Sequence, residues 1–228
     1  MRLKADLHAH AADDFQDRIS HSAEMLIDAA AKLNYDVVAL ACHNRVVHTR
    51  RIEEYGRRRN IVVVPALEAL IEGKHVVILN PDPEHAAAKT FHQLRAIGRR
   101  GAFILAPHPF HLDNRCLGRK LLPNIDCFDG IEYCSLYRPW LNPNNKAQRL
   151  ARNHGLPMVG TSDCHSFPYS GATFSWIDAT ERSVPAVIEA LRAGRVAVDT
   201  RPKPIGATLQ ALACFVRDKA RDIYSNER

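Results

Sequence analysis

No apolar run in the 228-residue sequence approaches the roughly 18 residues of a membrane-spanning helix. Its opening, MRLKADLHAH, turns polar too early for an export signal, so a cytoplasmic protein with no membrane contact is expected. The six cysteines (Cys42, Cys116, Cys127, Cys134, Cys164 and Cys214) include no CxxC pair. In a chain of this length without an export signal, that scatter points to buried thiols rather than a disulfide framework. No segment is low in complexity and no period of about 20 to 50 residues repeats, which excludes solenoids and arrays. Nor does a glycine-rich turn follow the first strand-like run, so a dinucleotide-binding fold has no support.

What is present is ordinary in bulk and unusual in one residue. Hydrophobic residues make up 46% and charged residues 25%, as in soluble globular proteins. The length suits one domain of α/β-barrel size with a single core. A net charge of +6 suits an anionic substrate without specifying one. The arginine clusters at 57–59 and 99–100 fall where helices should end, and the helix dipole accounts for them without nucleic acid. The twelve histidines are the departure, and their positions decide the reading.

Short β-rich runs at 3–8, 37–41, 61–67, 75–79, 102–106, 130–133, 158–161, 174–177 and 196–198 alternate with amphipathic stretches. Helices are expected over 22–33, capped by Ser20 or Ser22, and over 84–99. A third over 145–154 ends at Gly155, and a fourth over 183–193 opens with Ser183 and Pro185 and stops at Gly194. A last stretch, 205–224, spaces Leu209, Leu212, Val216 and Ile223 on one face. It is expected to pack as a helix on its own barrel, with contact to a second subunit in a homo-oligomer as the alternative. Strand–helix alternation throughout predicts a mostly parallel sheet closed into a single-domain TIM-like barrel over 1–228, with an open doubly wound sheet as the other option.

The histidines and acids fall at strand ends. His8 and His10, two apart on the first strand, face the same side and form a chelating pair for a borderline metal. Later strands end at His43, Glu68, His108 and Asp163-Cys164-His165, the fourth starts at His75, and the sixth carries Glu132. Taken singly, a lone histidine such as His75 reads as a hydrogen-bonded core residue. Taken together, they meet at the rim where barrel active sites form, and burying so many ionisable groups is costly unless cations offset the charge.

At this point a resemblance enters. DLHAH, Cys42-His43, Leu67-Glu68, His108-Pro109 and the SDCH of 162–165 resemble, in order from about residue 5 to 200, the motif series of the polymerase and histidinol phosphatase (PHP) family. DGIEYCS, the stretch 145–151 and GLPMVGTSDCHS are similar to the later part of its phosphoesterase members. The resemblance implies a distorted (β/α)7 barrel with two or three divalent ions, commonly zinc, manganese or iron. The implied ligands are His8, His10, Glu68, His108 and Asp163, with His43, His75 and His165 completing the further positions and Glu68 bridging. Two departures stand out. Where members carry Ser-Asp-Gly, this chain has Ala11-Ala12-Asp13-Asp14-Phe15, and Asp14 is taken as the matching ligand. Where they carry Thr-Asp-His, it has Ala41-Cys42-His43, which removes a carboxylate and bears on the third metal position or on the general acid.

The implied activity is hydrolysis of a small phosphomonoester or nucleotide by a metal-bridging hydroxide whose pKa the ions lower toward about 7. Glu68 and Asp163 would hold the catalytic metals, and His43 or His165 would supply the leaving-group proton. Arg45, His111, Arg115 and Arg138, just past strand ends, are candidates to hold the phosphorylated substrate, a short oligonucleotide included; a solvated loop charge is the other reading of the arginines. The rivals are an amidohydrolase-type C–N or lactone hydrolase, and a metal-stabilised binding module without catalysis.

Overall fold

A computed structural model describes residues 1–202, so the expected helix over 205–224 and Cys214 lie outside the described residues. Among the described residues, one sheet joins β1 (Arg2–Ala9), β2 (Val37–Leu40), β3 (Val62–Ile71), β4 (Lys74–Leu79), β5 (Phe103–Ala106), β6 (Gly130–Cys134), β7 (Met158–Thr161), β8 (Thr173–Asp178) and β9 (Val196–Thr200). Its order is β7-β6-β5-β4-β3-β2-β1-β8-β9. Each expected β-rich run is a strand, shifted only at its ends.

The sheet is less parallel than strand–helix alternation suggests. β1, β2 and β3 run parallel, as do β5, β6 and β7, but β4 is antiparallel to both its neighbours and β8 to both of its own. The cause at β4 is local. Only Glu72 and Gly73 separate it from β3, both at positive φ (48° and 75°), the backbone of a tight two-residue hairpin. The ring β1 to β7 closes through a parallel bridge between Ala9 and Cys164, where His10 N donates to Cys164 O at 3.0 Å and Asp163 N to His8 O at 2.9 Å. β8 lies along the first half of β1 and presses on β7 at Gly160, where an added Cβ would stand 2.5 Å from the Phe174 carbonyl oxygen.

The helices are α1 (Ala23–Lys32), α2 (Arg50–Arg58), α3 (Pro83–Ala87), α4 (Phe91–Ile97), α5 (Asn144–Asn153) and α6 (Val184–Arg192). Ser22, Thr49 and Ser183 cap α1, α2 and α6 by accepting a backbone N–H three residues on. The continuous helix expected over 84–99 is two. Ala88 turns extended (ψ 139°), and Thr90 with Gln93 opens α4 by a reciprocal capping box. Backbone groups at the break are satisfied by Glu72, whose N donates to Lys89 O and whose carboxylate accepts from Phe91 N.

Strand alternation sorts residues into a barrel interior and an outer layer. Leu3, Ala5, Leu7, Val37, Ala39, Val64, Ala66, Val77, Leu79, Phe103, Leu105 and Val159 form the inner cluster, closed at one end by Val187, Ile188 and Leu191 of α6. Outside, α1 and α2 cover Val38, Leu40 and Val63, while α4 and α5 cover Leu67, Ile78, Ile104 and Ile131. Continuing the inner register past the apolar layer brings His43, Glu68, Glu132 and Asp163 to one end of the barrel. Because β4 runs backwards, its first inward residue, His75, arrives at that same end.

Candidate metal centre

β1 has to break its alternation to take part, since Leu3, Ala5 and Leu7 already face inward. Its pairing with β2 slips between Asp6 and Ala9. Such a bulge re-aims side chains beside functional sites, and past it His8 and His10 turn toward each other. Their Nε2 atoms are 3.1 Å apart. The far nitrogen of each ring faces a carboxylate: His8 Nδ1 is 2.7 Å from Glu132 Oε1, and His10 Nδ1 is 2.9 Å from Asp14 Oδ2. Donation of both Nδ1 protons leaves two Nε2 lone pairs aimed at one another, which only a cation between them reconciles. The carboxylate–imidazole–metal relay has this form.

Glu68, 1% exposed, sits at the hub. Its Oε2 is 3.6 Å from Nε2 of both His8 and His10 and 3.1 Å from His43 Nε2. Its Oε1 is 2.8 Å from His75 Nδ1 and 3.1 Å from His108 Nε2. The contact to His75 is close but not directed as a hydrogen bond, and among the described residues neither His75 nitrogen has a hydrogen-bond partner. Asp163 Oδ1, 3.5 Å from Nε2 of His8 and of His10, is likewise without one. Unpartnered buried polar atoms are rare in folded proteins. Here they converge as three overlapping ligand groups: His8, His10 and Glu68; His8, His108 and Asp163; and His43, Glu68 and His75. A fourth, His10, His43 and His165, opens toward solvent, with the His165 side chain 38% exposed and its ring stacked 4.0 Å from that of His10.

Two of these residues hold strained backbone. His108 and Asp163 adopt φ of 26° and 48°, the left-handed region that non-glycine residues avoid and that clusters at functional sites. Glu132 anchors the first by accepting from His108 N at 2.5 Å. Asp6 anchors the other by accepting from Ser162 N at 3.0 Å.

The electrostatics follow from the crowding. Burial pushes the Glu68 and Asp163 carboxyls up, but surrounding imidazoles, His75 and His8 foremost, outweigh it and hold both well below the usual range. Burial pulls His8 down, yet Glu132, Asp163 and Glu68 raise it well above an ordinary histidine. His10 is lowered by burial and by His165. The acids around the facing pair thus favour positive charge between the two rings, which a metal ion would supply. Mixed imidazole and carboxylate donors suit zinc, manganese or iron, and the residues present fit such ions.

Not every candidate from the sequence lies in this cluster. Asp14 stands behind it, against Nδ1 of His10 and of His43. His111 has its ring 6.3 Å from that of His108, and its Nε2 donates to Leu136 O at 2.8 Å. Arg115 meets the site through its backbone, accepting from His75 N at 2.8 Å, while its Nε lies 3.5 Å from Asp113. Arg138 stands in a tight turn closed on Leu141, and Arg45 is exposed two residues beyond His43. Of the residues behind the ligands, the sequence points to Glu132 without giving it a role, and to Cys116 and Asp17 not at all. Glu132 also accepts from Thr161 Oγ1 at 2.6 Å, Cys116 Sγ lies 3.2 Å from His108 Nδ1, and Asp17 Oδ2 lies 3.0 Å from His165 Nε2. Only Glu132 carried a signal, an acid at an inward position of a strand.

Comparison with known proteins agrees with this geometry. A family model described as PHP-associated matches residues 142–196. No curated protein matches the chain. Among solved structures, a two-domain protein from Bacteroides vulgatus containing a predicted PHP-like metal-dependent phosphoesterase is 22% identical with a TM-score of 0.68, over 88% of this chain and 65% of that one. PsfC from Pseudomonas syringae is 16% identical with a TM-score of 0.65, over 96% of this chain and 98% of its own. The lesion-specific endonuclease Q from Pyrococcus furiosus is 14% identical with a TM-score of 0.60, over 87% of this chain and 58% of that one. These structures share the barrel of this chain, and the stretch 142–196, which holds β7 and Asp163 to His165, is the part that matches the PHP-associated model.

Proposed function

We propose that the protein is a metal-dependent phosphoesterase acting on a small phosphomonoester or a nucleotide. The observation that carries the reading is Glu68, whose two carboxylate oxygens are shared between imidazoles of separate ligand groups, with Oε2 toward His8, His10 and His43 and Oε1 toward His75 and His108. A carboxylate so placed could serve two ligand groups at once. The ions would be held by His8, His10, Glu68, His75, His108 and Asp163, with His43 and His165 at the outer edge. When bound, they would supply the Lewis acidity that activates water and offsets charge on a phosphoryl group.

The chain's own groups divide the remaining work. With ions bound, Glu132 and Asp14 would hold His8 and His10 in the tautomers that turn their Nε2 lone pairs to the centre. His165, the most exposed of the imidazoles and raised by Asp163 and Asp17 against the pull of burial, is placed to carry a proton to a leaving oxygen. Arg45, two residues past His43, and Arg115, whose backbone carbonyl accepts from His75 N, would bind substrate charge.

The test is a panel of phosphomonoesters, nucleoside monophosphates and short oligonucleotides assayed beside lactones and cyclic amides, with zinc, manganese or iron and again with chelator. Turnover of a phosphoester that chelator abolishes, and that Asp163→Asn lowers by at least about a hundredfold, is expected. Turnover only of lactones or cyclic amides would assign amidohydrolase chemistry. Bound metal with no turnover of any substrate would make the barrel a binding module.

A further inference from the structure

The mouth of the barrel is more apolar than a phosphate group requires. Ten large hydrophobic side chains are exposed among the described residues, and six of them stand on loops that follow β1, β2, β5 and β6: Phe15, Val46, Leu112, Leu136, Trp140 and Leu141. These loops open at the end that holds His43, Glu68, His108 and Asp163. Exposed apolar residues scattered singly are ordinary, but a concentration around one opening marks a surface that binds.

Two of the six carry rings, and ordered backbone presents both. Asp14 Oδ1 accepts from the backbone N of Gln16 and of Asp17, at 3.0 and 3.4 Å, which folds a tight turn with Phe15, 67% exposed, at its tip. In the loop after β6, Arg138 N donates to Leu141 O at 2.9 Å and Leu141 N to Arg138 O at 3.1 Å. Pro139 and Trp140 are the two residues of that turn, and Trp140 is 76% exposed. A ring held out on fixed backbone loses little freedom when it makes a contact.

The two turns flank His165. β6, β7 and β1 are consecutive in the ring, and His165 lies in the loop of the middle strand. On the β1 side, Asp17 Oδ2, two residues beyond Phe15, is 3.0 Å from His165 Nε2. On the β6 side, Ser135 Oγ donates to Ser162 O at 2.5 Å, and His111 Nε2 ties Leu136 O to the loop of His108. A leaving group that takes its proton from His165 therefore emerges between the loops that carry Phe15 and Trp140.

We propose that Phe15 and Trp140 receive a planar ring on the leaving group, so that the substrates are phosphomonoesters of ring-bearing alcohols, nucleosides or aryl alcohols, rather than ring-free polyol phosphates. The inference rests on the phosphoesterase reading and narrows it. The polar floor fixes the charged end of the substrate, and the aromatic faces at the rim add affinity that only a flat, apolar group can use.

The test separates the ring contact from the chemistry. Phenylphosphonate and methylphosphonate carry the same charged group, with a phosphorus–carbon bond in place of the ester. Calorimetric titration of each into manganese-loaded protein should show phenylphosphonate bound at least about fivefold more tightly. That preference should fall below about twofold in Trp140→Ala, shrink in Phe15→Ala and largely return in Trp140→Phe. Both side chains are exposed, so neither truncation threatens the fold. In turnover, Trp140→Ala should raise KM for adenosine monophosphate or for phenyl phosphate more than for glycerol phosphate, and the larger rise tells a nucleoside from an aryl alcohol. Equal affinity for the two phosphonates overturns the proposal, as does a preference that Trp140→Ala leaves intact. A mouth closed by a second copy of the chain would give no preference and a light-scattering mass that rises with concentration, which overturns it too. A preference that Trp140→Ala removes, in a protein that hydrolyses no phosphoester, upholds the ring contact while the phosphoesterase reading fails.

Discussion

His8 and His10 meet Nε2 to Nε2 at 3.1 Å while Glu132 and Asp14 hold their outer nitrogens. Neither ring can turn away, because each is fully buried and tied to an acid. The pair therefore behaves as a socket for positive charge, and its properties should change with which cation fills it.

Metal loading should raise thermal stability. A ligand present at a hundred times its Kd stabilises a folded protein by about 2.7 kcal/mol. For a domain of this size that corresponds to a rise of about 5 to 11 °C in Tm. Thermal unfolding of metal-stripped protein, with and without zinc or manganese, measures it directly. An unchanged Tm under both ions would count against a metal site in the barrel.

Loading should also release protons. Burial pulls His43 down, but its bonds to Asp14 and Glu68 outweigh that and push it up to about 10. A group raised in the folded state contributes stability fully below its ordinary value of 6.5, and loses it as pH rises through about 10. Metal-free protein should accordingly lose Tm between about pH 7 and 10, while metal-loaded protein, with its imidazoles already neutral, should hold steadier over that range. Calorimetric titration at pH 7 in buffers of different ionisation enthalpy should give apparent enthalpies that differ in proportion. Identical values would mean that no proton leaves.

Glu132→Gln should weaken metal binding by about 10- to 100-fold without unfolding the protein. Glutamine keeps the volume but can accept through one oxygen only, whereas Glu132 accepts from His8 Nδ1 and Thr161 Oγ1 on one oxygen and from His108 N on the other. Either His108 N loses its partner, or His8 Nδ1 and Thr161 Oγ1 both do, and in the second case His8 is free to take the wrong tautomer. Metal affinity of the variant, set beside its Tm, separates this from general damage. Wild-type affinity in a folded variant would sink the assignment.

Much of this is legible in the sequence, and the misses have local causes. Strand ends and the ligands on them follow a period of two, so His43, Glu68 and Asp163 fall together once the barrel closes. The reversed direction of β4 departs from the parallel strand that alternation suggests, although Ile71-Glu72-Gly73-Lys74 carries a hairpin signal in its glycine. Direction matters because it brings His75 from the start of a strand to the rim where the others end. The break between α3 and α4 was likewise written in Thr90-x-x-Gln93, a capping box inside a pattern otherwise continuous enough to read as one helix. Asp17 had no readable signal. It lies in an irregular loop, and only the fold brings it to His165, far away in the sequence. The bulge in β1 is of the same kind, since the DLHAH run gives no hint that its alternation breaks.

Gly160→Ala should destabilise the barrel and loosen the metal centre together. Gly160 lies on β7 three residues before Asp163, with β8 packed so closely that an added Cβ would stand 2.5 Å from Phe174 O and 2.9 Å from Val198 Cγ1. The first contact is backbone, and Ser175 Oγ pins it by accepting from Gly160 N at 2.8 Å and donating to Gly160 O at 3.1 Å. Relief requires β8 to move away from β7, which overpacked cores accommodate at a cost of about 1 to 3 kcal/mol, a fall of about 2 to 12 °C in Tm. The same movement reaches the metal centre, because Asp163 N is bonded to His8 O where the ring closes. Ser175→Ala, which removes the pin without adding bulk, should lower Tm less and leave metal affinity close to wild type. Equal effects from the two variants would show that the hydrogen bonds, and not the contact of bare backbones, hold β8 against the ring.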